Sequence, residues 1–458
     1  MNNLTSTIAA ISTPPGKGGV ALIRISGDEA IKVAERCFIP KSNRPLSSYE
    51  SRVAVYGDVI FEGKKIDDAM ATVFRAPQSY TGEDTVEISC HGGMLISHTV
   101  LCAVLASGAV AASAGEFTKR AFLSGKLSLS DAEAIGMLLE AKTHSQILLN
   151  SSSSRSSLSR KTEQLHADLI SLLSSMYAKI DYPEEDLADV TPEQLQTKLY
   201  NIQDQLDALC DSYKTGKAIN EGVATVICGK PNVGKSTLYN MLCGGNYAIV
   251  SEYEGTTRDV LEKTVSLGVV TLNLCDTAGI RDTDAPIEQI GIELSREKIS
   301  SSELIFAVFD CSRPLDEYDL SLIEQLRDVQ STVIAVINKT DLENAIDTSV
   351  IESNFEHTVK LCAKQNADEL CRIVERLFCD ESLSIGTDAV VANARQHASL
   401  LQTKEYIRSA LDALSANLPY DIVSSDMESA ASAISELDGR AVSEDVVAGI
   451  FHNFCVGK

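Results

Sequence analysis

Gly229-Lys230-Pro231-Asn232-Val233-Gly234-Lys235-Ser236-Thr237 fits the pattern G-x-x-x-x-G-K-S/T. Two glycines at this spacing let the backbone turn back on itself, so that its N–H groups converge on phosphate oxygens. In such a loop Lys235 reaches the β- and γ-phosphates, and Ser236 offers a hydroxyl to Mg²⁺. The flanks agree. Residues 223–228, Val-Ala-Thr-Val-Ile-Cys, form a short apolar run that predicts a buried strand, and residues 238–242 continue as a helix. Strand, glycine loop and helix in that order open a doubly wound α/β sheet, whose ligands sit at the carboxyl ends of its strands.

Further motifs follow in the order such a sheet requires. Asn338-Lys339-Thr340-Asp341 ends the apolar run 332–337. An aspartate there can accept two hydrogen bonds from the N1–H and N2–H₂ edge of guanine. Adenine lacks that pair, and a carboxylate left unpaired in such a site is costly. Asp276-Thr277-Ala278-Gly279 follows the run 269–275. Its aspartate is expected to reach Mg²⁺ through water, and the Gly279 N–H to meet the γ-phosphate. Gly255-Thr256-Thr257-Arg258-Asp259 supplies Thr257 as a second Mg²⁺ ligand, and Cys362-Ala363-Lys364 would close over the base. Together these predict a GTPase domain over 222–378, a normal domain size.

The chain has 458 residues, so about 300 remain for other cores. Its 40 basic and 64 acidic residues give a net charge of −24. Residues 1–125 balance at 12 basic and 12 acidic, and the remainder holds 28 against 52. This acidity argues against broad electrostatic binding of nucleic acid, and leaves open a local basic site or a basic partner. No apolar run reaches about 18 residues, so no membrane span is expected. The opening Met-Asn-Asn-Leu-Thr-Ser-Thr lacks a secretion signal's basic and apolar regions, which predicts a cytoplasmic protein. Twelve cysteines without a C-x-x-C pair offer no zinc spacing and fit reduced, mostly buried thiols.

Residues 19–25, 53–61, 68–74 and 84–90 read as strands and 93–105 as a helix, which predicts a compact α+β domain over 1–124. Glu87 shares a strand face with Thr85 and Ser89, and on the residues alone reads as part of a solvated face. A stripe of Leu158, Leu165, Leu169, Leu172, Met176 and Ile180 predicts a long amphipathic helix. Residues 131–141, 192–209, 393–414 and 426–437 also read as helices. The serine run 151–154 is expected to be a solvated helix face. Helices before and after the GTPase stretch predict that it is inserted into a helical domain, with parts at 125–221 and 379–458.

These runs together resemble the MnmE (also TrmE) family of tRNA-modifying GTPases. The resemblance rests on residues 14–27 (Pro-Pro-Gly-Lys-Gly-Gly-Val-Ala-Leu-Ile-Arg-Ile-Ser-Gly), on 80–87 with Cys90-His91-Gly92-Gly93, on 114–126, on 180–186 and on 255–259. It ends at Phe454-Cys455-Val456-Gly457-Lys458, where the family usually has isoleucine in place of Val456. Such proteins act as homodimers with an FAD- and NADH-using partner of MnmG type, giving a heterotetramer. They install a carboxymethylaminomethyl group on C5 of the wobble uridine of certain tRNAs, with a tetrahydrofolate (the 5,10-methylene or 5-formyl form) as the one-carbon source. The resemblance implies folate contacts at Arg24, Glu87, Lys126 and Lys458, which turns Glu87 from a solvated residue into a ligand. For Cys455 two readings stand, a buried thiol and a catalytic thiol beside the folate.

The resemblance also implies potassium in GTP hydrolysis. Phosphoryl transfer needs positive charge near the β–γ bridging oxygen, which other GTPases take from an arginine. Here K⁺ would be held by the side-chain oxygen of Asn232 and by backbone oxygens of Ser251 and Tyr253, with Thr256 beside them. Neutral amide and carbonyl oxygens suit this large, weakly hydrated ion. Glu288 corresponds to the water-orienting catalytic residue. The implied GTP contacts run from Asn232 to Thr237 (including Val233, Gly234, Lys235 and Ser236). They continue at Ser251, Thr256, Thr257, Asp276, Thr277, Ala278, Gly279, Asn338, Lys339, Asp341, Cys362, Ala363 and Lys364. Cys362 stands where the family has serine; both are small, and guanine contact through backbone N–H groups survives the change. The alternative is a ribosome-assembly or regulatory switch GTPase without modification activity, which is expected to carry a basic RNA-binding module.

Overall fold

The computed structural model describes residues 6–181, 191–244, 263–275, 299, 301–363, 367–439, 444–452, 454 and 456–457. The chain divides into two compact units, Met1–Gly136 with Ser435–Lys458, and Met137–Ile434.

In the first unit seven strands form one sheet: β1 (Ile8–Ile11), β2 (Val20–Ser26), β3 (Phe38–Pro40), β4 (Ala54–Phe61), β5 (Lys64–Phe74), β6 (Thr85–His91) and β7 (Val110–Ala111). Among the described residues their order is β3-β4-β5-β6-β2-β1-β7. Neighbours run antiparallel except β1 and β7. Helices Ala30–Cys37 and Met94–Ala106 cover one face and share its core with Ile23, Ile25, Val86 and Ile88. Strand alternation leaves Arg24, between Ile23 and Ile25, to the other face. There Ile8, Ala10, Ala112 and Phe117 form a smaller core with Tyr80 against it. Strand β1 was not expected from the sequence. Its residues show no apolar–polar alternation, because Ala9 packs into the larger core and Ile8 and Ala10 into the smaller one, on opposite faces of the sheet. The end of the chain returns to this unit. Val456 bridges Ala114, and the Ser12 hydroxyl donates to the Gly457 carbonyl at 2.9 Å.

The second unit holds β8 (Val223–Cys228), β9 (Lys263–Leu267), β10 (Val270–Leu274), β11 (Leu304–Asp310), β12 (Thr332–Asn338) and β13 (His357–Lys360). Their order is β13-β12-β11-β8-β10-β9, parallel throughout except for β9 against β10. Every residue of β11 is buried, as expected for a central strand covered on both faces. One face packs on Leu238, Leu242, Leu370 and Val374, the other on Leu322, Ile323, Leu326 and Ile351. This is the doubly wound sheet that the motif order predicts.

Helices Ser152–Asp181, Pro192–Asn220 and Ala394–Ser415 make up much of the rest. Helix Pro192–Asn220 starts where its sequence says it should: Thr191 and Gln194 form a reciprocal capping box, with proline in the first turn. It packs against helix Ala394–Ser415, where the Tyr213 and His397 rings stack at 4.1 Å. The six strands lie between these two helices in the chain, so the sheet is inserted within a helical domain. The leucines of the predicted stripe are buried. The serine run is helical from residue 152 and Ser153 is exposed, as expected, but Ser154 is buried, where a small hydroxyl fits a packed helix start. The described cysteines are free thiols, none of them exposed. No described helix is long and apolar enough to cross a membrane.

Candidate functional site

The loop after β8 is shaped by its neighbours. Gly229 and Gly234 have φ of 141° and 103°, and Asn232 has φ of 64°. A Cβ on Gly229 would run into the Val308 carbonyl of β11, and one on Gly234 into the Asn338 amide. Both glycines are therefore required by backbone conformation and by close approach. Val233 is fully buried and anchors the loop between them. Lys235 folds back over it, its Nζ donating to the carbonyls of Gly229 and Lys230 at 2.8 Å each. A glycine cradle capped by an ammonium and opening at a helix start has the donor geometry for a polyphosphate.

Asn338 ties three loops together. Its Nδ2 donates to the Val233 carbonyl at 2.9 Å, and its Oδ1 accepts from the Ala363 N–H at 3.0 Å. The loops after β8, β12 and β13 are thus clamped to one another by one buried amide. Lys339, at φ 65°, donates to the Asn232 carbonyl at 2.8 Å and to Asp310 at 2.6 Å. Burial works against the Asp310 charge. Hydrogen bonds from Lys339 and Ser312 outweigh it and hold the carboxyl below its ordinary value. The Cys362 thiol donates to Asp341 Oδ1 at 3.3 Å and so helps to orient that carboxylate. Lys230 is held by Asp316 and Asp319 at 2.7 Å each. Asp310 and Lys230 escaped sequence reading, because an aspartate ending a strand and a variable loop lysine carry no motif signal.

Replacing Asn338 with alanine removes both clamp bonds and orphans a buried carbonyl and N–H. The expected cost is about 2–4 kcal/mol. Urea unfolding should register that loss, and the Ala363 amide should exchange its hydrogen much faster. Unchanged exchange there would show that the three loops hold without the clamp.

The structure therefore brings together residues 232–237, Asn338, Lys339, Asp341, Cys362 and Ala363. Ser251, Tyr253, Thr256, Thr257, Asp276, Thr277, Ala278, Gly279, Glu288, Lys364, Cys455 and Lys458 lie outside the described residues.

In the first unit Arg24 and Glu87 are directly opposite each other on β2 and β6. The Arg24 Nε and Nη2 both reach Glu87 Oε1 at 2.9 Å. The guanidinium lies 5.0 Å from the centre of the Tyr80 ring and 5.7 Å from that of Phe117. Glu87 is thus half-buried and paired, not on a solvated face. Aromatic faces and the carboxylate together keep Arg24 in place. Lys126 donates to the Pro77 carbonyl at 2.9 Å and to the Ser79 carbonyl.

Comparison with known proteins divides the chain between residues 126 and 129. Residues 7–126 match the family described as the GTP-binding protein TrmE N-terminus, and residues 129–455 match the MnmE helical domain. The tRNA modification GTPase MnmE of Clostridioides difficile (strain 630) is 39% identical over 459 residues, covering 99% of this chain and 100% of that protein. The tRNA modification GTPase MnmE of Geobacillus thermodenitrificans (strain NG80-2) is 39% identical over 460 residues, covering 99% of each. Among solved structures, the G domain of the T. maritima FeoB iron transporter is 25% identical, with a TM-score of 0.26, over 34% of this chain and 98% of that one. End-to-end identity at this level, spanning the N-terminal sheet, the helices and the inserted nucleotide fold alike, means that the chain belongs to the MnmE family of tRNA modification GTPases.

Proposed function

We propose that this chain is a GTP hydrolase of tRNA modification. In this reading it acts as a homodimer with an FAD- and NADH-dependent partner of MnmG type. The pair installs a carboxymethylaminomethyl group on C5 of uridine 34 from a tetrahydrofolate donor. The observation that carries the GTPase half is the Asn338 clamp, which ties the glycine loop after β8 to the loops after β12 and β13, so that a phosphate cradle and the Asp341 carboxylate lie at the same edge of one sheet.

The chain's own residues divide the work. Residues 232–237 bind the phosphates, with Lys235 offsetting their charge. Ser236, with Thr257, holds Mg²⁺. Asp341 selects guanine. Asn232, exposed and turned outward by its positive φ, offers an amide oxygen for K⁺ together with Ser251, Tyr253 and Thr256. When bound, the potassium ion supplies the positive charge that a transferring phosphoryl group requires. Glu288 orients the attacking water. In the other unit Arg24 and Lys126 suit the anionic part of a folate, and Glu87 suits a pterin N–H edge once Arg24 shares it.

The test is mass spectrometry of wobble nucleosides from cells depleted of this protein. The modified uridine is expected to disappear; a switch GTPase without modification activity would leave it in place. The purified protein should hydrolyse GTP faster in potassium than in sodium, and equal rates would remove the potassium assignment.

A further inference from the structure

A pocket of about 410 Å³ opens beside Tyr80, within the range of small-molecule sites (roughly 300–1,000 Å³). Phe74, Pro77, Gln78 and Tyr80 line it, with Arg52 and Lys126 contributing two cations. No carboxylate is among its described lining residues. Among the described residues the Lys126 ammonium meets only main-chain carbonyls, and the Arg52 guanidinium has a single long contact, 3.5 Å, to the Gln78 carbonyl. Two cations in one pocket without an acid between them repel each other, and a bound anion relieves that repulsion. Arg52 is also held in place: its backbone sits at φ 68° and its N–H donates to the Val73 carbonyl at 2.7 Å.

The pocket is continuous with the Arg24–Glu87 pair through one side chain. Tyr80 forms its wall and at the same time lies under the Arg24 guanidinium. A ligand with a flat polar head at the pair and a flexible anionic tail would pass this ring. We propose that the pocket takes the γ-linked glutamyl tail of a reduced folate, and that Arg52 pairs with a carboxylate beyond the first glutamate. The inference rests on the folate reading of Arg24, Glu87 and Lys126. Each γ-linked glutamate adds one net carboxylate to the tail, so a longer tail gives Arg52 a partner that a monoglutamate lacks.

The experiment is calorimetric titration of the full chain at low salt with 5-formyltetrahydrofolate as its monoglutamate and as its triglutamate. The triglutamate is expected to bind about fivefold tighter, what one partly exposed ion pair supplies, and the preference should shrink as salt screens it. Arg52→Asn tolerates the left-handed backbone and removes the charge; it is expected to erase the preference, while Arg52→Lys keeps part of it. Equal binding of the two ligands by the natural protein overturns this proposal and leaves the folate reading standing. A preference that survives in Arg52→Asn also overturns it. Absence of binding by either ligand overturns the folate reading and the proposal together.

Discussion

Asp341→Asn is expected to weaken GTP and GDP binding by about 10²–10⁴-fold and to create affinity for xanthine nucleotides. A carboxylate accepts from both the N1–H and the N2–H₂ of guanine. Two bonds to a charged acceptor contribute about 3–6 kcal/mol, which is that range of affinity. The asparagine amide can still accept at N1–H, but it turns a second donor toward the N2 amine. Xanthine carries a carbonyl at that position and accepts the same donor. The surrounding contacts should survive the exchange, since Cys362 can still donate to the side-chain oxygen and Asn338 still clamps the loops. Fluorescence titration with labelled GDP and xanthosine diphosphate reads both halves of the switch. An Asp341→Asn protein that keeps its preference for guanine would place the base elsewhere.

Lys235→Ala is expected to lower the single-turnover rate of GTP hydrolysis by about 10²–10³-fold, the usual loss when one donor to a developing oxyanion is removed. The nucleotide affinity should fall as well, because Nζ also braces the carbonyls of Gly229 and Lys230. Arginine should not restore the rate, since its broad planar fork does not reproduce the compact ammonium that Lys235 sets against the Gly229 and Lys230 carbonyls. Measuring the rate at saturating GTP separates the chemical loss from the binding loss. A rate within tenfold of the natural protein would show that the phosphate charge is offset by other groups.

Much of the nucleotide site could be read before any coordinates. A glycine loop after an apolar run, and an Asn-Lys-x-Asp after another, are local patterns, and each is imposed by the backbone of a few consecutive residues. Strand β8 and the start of helix Pro192–Asn220 were legible for the same reason, the first by its apolar run, the second by its periodicity, although the helix runs on to residue 220 where 209 was expected. Strand β1 was not, because a four-residue run that is apolar toward both faces of the sheet has no period to detect. Glu87 was misread from its own strand, where it looked solvated, because its partner Arg24 lies 63 residues away.

What local residue order specified here was chemistry type: which segments bend round a phosphate, which alternate for a sheet, which cap a helix. Which groups meet was left to packing. Asn338 reaches Val233 and Ala363 only because β12 is laid beside β13 and β11 in the sheet, and Arg52 shares a pocket with Lys126 only through the fold of the first unit. Hydrogen bonds and unpaired charge act over a few ångströms in space. Distance along the chain, the one coordinate a sequence carries, says little about that separation once strands are shuffled into a sheet.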